Sequence, residues 1–159
     1  MRKIPIFLLL LLAACNSGQK DKTQKAEQPK MIATDAQMEA YKIVARDVST
    51  AWLKVLDVGK YEDAYDQVSA FMKSQATKDQ WKDFSNQVAS SFGKNLNREF
   101  ISADYYESGP TAGNHQYVVC KFKSDYELKK QTVETVSVLL EKDMGWRVMG
   151  YFLDPVQAK

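Results

Sequence analysis

The sequence predicts an α+β domain. Apolar residues recur at helical spacing through the first half of the chain beyond residue 34, and alternating segments rich in Val, Tyr, Phe and Thr fill the second half. Short turn-forming connections between those later segments make them an antiparallel meander. The expected architecture is three N-terminal helices packed on one face of a curved four-stranded antiparallel sheet.

Thr34-Asp35-Ala36-Gln37 has the form of a capping box, so a helix should begin there. Tyr41, Val44, Ala45, Val48, Trp52, Val55 and Leu56 continue it at three- and four-residue spacing, and Gly59 supplies a left-handed stop. Tyr61, Ala64, Tyr65, Val68, Phe71 and Met72 predict a second helix reaching about Ser74. A second capping box, Thr77-Lys78-Asp79-Gln80, opens a third helix carrying Trp81, Phe84, Val88 and Phe92 and closed by Gly93. Four strands follow, over Arg98 to Tyr106, Gln116 to Lys123, Lys130 to Glu141 and Trp146 to Leu153. Gly109 to Asn114, Ser124 to Lys129 and Lys142 to Gly145 form their connections.

The chain has 159 residues, 45% of them apolar, which is material for one domain with one core. Its formal charge of +2 comes from 22 basic and 20 acidic residues, and removing Arg2 and Lys3 leaves 20 basic against 20 acidic. No dense basic stripe interleaved with aromatics remains, so nucleic acid is excluded as a partner.

Arg2 and Lys3, the apolar run from Ile4 to Leu12 and the small residues Ala13 and Ala14 read as an export signal. The run is about half the ~20 residues needed to span a bilayer. Leu12-Ala13-Ala14-Cys15 resembles a bacterial lipobox, which implies cleavage after residue 14 and lipidation of Cys15, with acyl chains of the palmitate class. Two or three acyl chains make a durable anchor where one alone does not. By the same resemblance, Asn16 in place of Asp leans the destination to the outer membrane over the inner, on the periplasmic side. Residues 1–14 are then a signal peptide, 15–33 a lipidated cysteine with a polar tether, and 34–155 the folded domain. The fifteen residues from Asn16 to Lys30 give the tether a root-mean-square reach of about 20 Å as a random coil.

Residues Ala51 to Trp81, with their Ala51-Trp52 pair and Gly59-Lys60-Tyr61, and Val133 to Phe152, with Gly145-Trp146-Arg147, resemble the bacterial domain of unknown function 4019. The resemblance implies export and the α+β fold, and it implies no activity. The order of helices and strands is also similar to the cone-shaped nuclear transport factor 2-like and cystatin-like folds. Those folds host enzymes, ligand binders and interaction modules alike.

No residue set announces a reaction. His115 is the one histidine and sits in a Gly/Pro/Asn loop, so a metal site of usual composition cannot be built around it, and no cofactor is expected. No Gly-x-Ser-x-Gly elbow or phosphate-cradling glycine loop occurs. Cys120, in an apolar strand, reads as a buried small hydrophobe. Asp104 and Glu134 interrupt apolar runs and are the catalytic candidates, since a carboxylate in the hollow between sheet and helices would suit a general base. The favoured reading is the plainer one, that strand alternation turns both to water or that one pairs with Arg98 or Arg147. Trp52, Trp81 and Trp146 lie on apolar stripes and read as core.

Apolar residues on both parities of the last two strands leave a sheet face for a protein partner or a second copy. The sequence therefore favours a non-enzymatic interaction module anchored in the cell envelope. The alternative is a small-ligand carrier or enzyme using a pocket between sheet and helices.

Overall fold

The computed structural model describes residues 32–155 apart from 110, 111, 113 and 144. The expected leader, the expected lipidation at Cys15 and the expected tether as far as residue 31 lie outside the described residues. Among the described residues four helices precede four strands: α1 (Asp35–Asp57), α2 (Tyr61–Asp66), α3 (Ala70–Gln75), α4 (Lys78–Phe92), β1 (Asn95–Tyr106), β2 (Tyr117–Tyr126), β3 (Thr132–Leu140) and β4 (Trp146–Pro155). The class is α+β, as expected, with one more helix than the periodicity suggested.

Both capping boxes form. The Thr34 hydroxyl accepts from the Gln37 amide at 3.3 Å and the Gln37 side chain accepts from the Thr34 amide at 2.9 Å, so two orphan donors of α1 are satisfied. Thr77 and Gln80 repeat the arrangement at α4. Gly59 (φ 74°) and Gly93 (φ 73°) take the left-handed backbone that ends α1 and α4.

The expected second helix is instead two short ones. Ser69 is extended (φ −64°, ψ 157°), caps α3 by accepting from the Met72 amide, and gives its own amide to the Val148 carbonyl of β4 at 2.9 Å. A long-range bond to the sheet thus takes the place of the helical ladder at this residue. The 3.6-residue period passes through such a break unaltered, which is why the spacing alone does not show it.

The sheet order is β1-β2-β3-β4, antiparallel throughout. β2 runs on to Tyr126 beyond the expected end at Lys123, because Phe122, Ser124 and Tyr126 continue the inward alternation and are all buried. Register shifts between Asn95 and Asn97, between Phe100 and Ser102, and between Ser137 and Val138 mark bulges, which bend a sheet.

α1 touches all four strands. Its Ala45, Trp52 and Leu53 pack with Val118, Cys120 and Phe122 of β2, Val136 and Val138 of β3 and Val148 of β4 in one core. On the opposite face of the sheet, the edge of β4 and helix α3 border a hollow of about 370 Å³ lined by Phe71, Tyr117, Met149 and Phe152.

Candidate functional site

Glu134 pairs with Phe122 on β2 and Leu153 on β4, which sets it on the helix-facing side of a central strand. It has no exposed surface. A bare carboxylate there would be untenable, and three neighbours prevent it from being bare. Oε1 accepts from Arg98 Nε at 3.0 Å and from the Tyr126 hydroxyl at 2.8 Å, and Oε2 accepts from the Tyr151 hydroxyl at 3.2 Å. Arg98 turns its other nitrogens to Asp57 at the end of α1, in a bidentate pair at 2.7 and 3.0 Å.

The network links β1, β2, β3, β4 and the C-terminus of α1. Burial works against the Arg98 charge, but the carboxylates of Asp57 and Glu134 outweigh it and raise its pKa. Burial, and then the nearby Glu134 charge, push the Tyr126 and Tyr151 phenols upward, so both remain neutral donors. Both oxygens of the Glu134 side chain are thus engaged, and the consequence is the fixed orientation of two tyrosines.

Asp104 lies elsewhere. Simple alternation from Phe100 through Ser102 would have put it on the helix side, but the bulge between those two residues reverses the parity. Phe100, Ala103 and Tyr105 then face the helices, with Phe100 against Phe122 and under Arg46, while Asp104 is exposed on the other face and accepts from the Ser102 hydroxyl at 3.3 Å. The two candidate carboxylates occupy opposite sides of the sheet and do not form a pair.

Cys120 is fully buried, and burial pushes its thiol upward with Ser49 pulling weakly the other way. His115 is exposed, its amide donating to the Ala112 carbonyl. Trp52 and Trp81 are core residues at 2% and 4% exposure, whereas Trp146 is half-buried against Tyr41. Among the described residues no group of His, Cys, Asp and Glu has the composition of a metal site.

The tyrosines that Glu134 orients form part of the wall of a pocket of about 330 Å³, between α4, the end of α1, the start of α2 and one rim of the sheet. Leu56, Phe84 and Val88 supply apolar surface, and Tyr61 adds a third phenol ring. Asp57 and Glu127 bring carboxylates and Lys94 an amine. Ser85 and Asn95 also border the pocket, and their Oγ and Nδ2 atoms are covered by protein and hydrogen-bonded to none of it.

Sequence reasoning passed over both residues. Ser85 did carry a signal, since it follows Trp81 by four on the inward stripe of α4, where a serine has no apolar reason to be. Asn95 carried none.

Four helices followed by an antiparallel meander, with an ionic network beneath the helices and a pocket beside it, define an α+β domain of a recognisable kind. The family model described as "Protein of unknown function (DUF4019)" matches residues 48–151, from the second half of α1 to β4, and the chain belongs to that family. No curated protein and no solved structure matches it.

Proposed function

We propose that this chain is an envelope lipoprotein, held to the membrane by lipid on Cys15, whose α+β domain carries a small ligand in the pocket between α4 and the sheet. The pocket carries this reading. Its volume of about 330 Å³ falls in the range of small-molecule sites, and it combines apolar walls with a few convergent polar groups, as such sites do. The resemblance to the cone-shaped folds, which host ligand binders among others, agrees with a pocket and does not choose its occupant.

The pocket thus reverses the order of the two readings that the sequence left open. Native mass spectrometry of the full chain, extracted from the envelope in mild detergent, is the test. A noncovalent satellite mass should accompany the wild type and vanish on denaturation, while covalent lipid on Cys15 persists. Ala89→Trp, which places an indole in the pocket, should lose the satellite, and Cys15→Ala should lose the lipid. Identical bare masses for the wild type and Ala89→Trp would refute the carrier, and lipid retained on Cys15→Ala would refute the anchor.

A second reading, contact with a protein partner or second copy through the open sheet face, is favoured by Phe152. This ring is 67% exposed beside the hollow between α3 and β4. Crosslinking of the lipidated chain in its membrane should then give an adduct that Phe152→Ser abolishes. The same crosslinks in both chains would discard the sheet face.

A further inference from the structure

Resting on the anchor reading and not on the pocket's occupant, we infer that three turns at one end of the domain dock on the anionic head groups of the bilayer that carries the anchor. The α4–β1 and β2–β3 turns are bound to each other. The Lys94 amide donates to Glu127 Oε2 at 2.9 Å, the Glu127 amide to the Lys94 carbonyl at 3.0 Å and the Leu128 amide to the Phe92 carbonyl at 2.9 Å. Gly93 permits this approach, because a Cβ there would lie 2.8 Å from Glu127 Cβ. The α1–α2 turn joins them, since Asp57 borders the same pocket as Lys94 and Glu127.

These turns carry Lys60, Lys94, Lys129 and Lys130, all exposed. Lys42, Lys78 and Lys82 each hold a carboxylate, whereas those four enter no ion pair among the described residues. Their acidic neighbours are engaged within the protein, Asp57 on Arg98, Glu127 on the Lys94 amide and Asp125 on the Gln131 amide. The excess charge at the tips is positive. Val58, Leu96 and Leu128 stand among the amines, each more than half exposed, and Leu96 is the extra residue of the bulge between Asn95 and Asn97. Amines around aliphatic tips match a lipid surface, whose head groups take the charge while the acyl boundary takes the side chains. The other end of the domain, where Ala33 bonds Glu107, carries Asp35, Glu39, Glu107, Glu141 and Asp143 against Lys42, Lys142 and Arg147. Its sign is wrong for the same surface.

With Cys120 buried and Cys15 acylated in this reading, one added thiol takes a label alone. Asn97→Cys reports on the turns and Ala40→Cys on the other end, both at exposed positions. Each full lipidated chain, labelled with nitrobenzoxadiazole, is reconstituted in vesicles of phosphatidylethanolamine and phosphatidylglycerol, or of phosphatidylcholine, with spin-labelled lipid as quencher. The label at position 97 should be quenched in the anionic vesicles, less so in phosphatidylcholine or high salt, and the label at position 40 hardly at all. Lys129→Gln and Lys130→Gln should each lower the docked-to-free ratio by about fivefold, and Leu128→Ser should lower it as well. Equal quenching of the two labels, or quenching indifferent to lipid charge and to the lysines, would overturn the docking; covalent lipid on the same sample, read by mass, would leave the anchor standing. A chain without that lipid loses the anchor, and the same labels read against added vesicles then decide the docking. Clustering of the vesicles would overturn the choice of bilayer. A label indifferent to lipid but shifted by polyglutamate would assign the lysines to an acidic protein instead.

Discussion

Arg98→Met should destabilise the domain by about 3–5 kcal/mol, and adding Glu134→Gln to that variant should give part of the loss back. Domains of this size have on the order of 5–15 kcal/mol in total, so the single change takes a large fraction of it. The cause is asymmetric. Among the described residues Arg98 is the one cation bonded to Glu134, whose side chain is wholly buried, and with Arg98 gone the carboxylate keeps two neutral phenols there. Gln at position 134 removes the charge and keeps an oxygen for Tyr126 or Tyr151. In the wild-type background the same substitution breaks an ion pair and should cost about 1–3 kcal/mol. The sign of Glu134→Gln therefore depends on residue 98. Urea unfolding followed by tryptophan fluorescence on the four chains reads this directly, and simple additivity of the two losses would show that the pair is not coupled.

That network also marks where the sequence was legible and where it was not. The capping residues Thr34 and Thr77 and the stop glycines Gly59 and Gly93 act within one turn of backbone, so their effect is local and the sequence shows it. Glu134 stood out because a carboxylate in a Val-rich strand needs a reason, and Arg98 was one of the partners the sequence offered. Asp104 stood out for the same reason, yet its side of the sheet depends on one extra residue between Phe100 and Ser102. Nothing in the local composition announces that bulge, and a shift of one residue exchanges the faces of a strand. Ser69 is a similar case, because the carbonyl that accepts its amide between α2 and α3 belongs to Val148, 79 positions away. The pocket was least legible of all, since it joins residues from α1, α2, α4 and three strands that share no motif. Only Ser85, a polar residue on an apolar stripe, gave an indication.

Trp52→Ala should cost about 3–5 kcal/mol, the range for removing a large buried aromatic side chain. Trp52 is 2% exposed, its ring packs against Trp81 at 5.6 Å and Tyr151 at 5.3 Å, and its Nε1 donates to the Ala64 carbonyl at 2.9 Å. Trp81 does the same at the other end of α2, donating from Nε1 to the Tyr61 carbonyl at 2.9 Å. A six-residue helix is far too short to persist alone, so α2 depends on these two indoles and on the packing of Ala64 and Tyr65. It also carries Tyr61 to the pocket wall. Trp52→Phe keeps most of the ring volume and removes the N–H, so it should cost less, about 1–2 kcal/mol, while still freeing one end of α2. Hydrogen exchange separates the two effects: amides of Tyr61 to Asp66 should exchange faster in Trp52→Phe while those of β2 and β3 stay protected. Unchanged exchange over α2 would mean that packing alone holds it. Faster exchange over α2 together with weaker ligand binding would tie the stability of the core to the shape of the pocket, because the side chain that fastens α2 also packs on Tyr151, one of the two phenols that Glu134 orients.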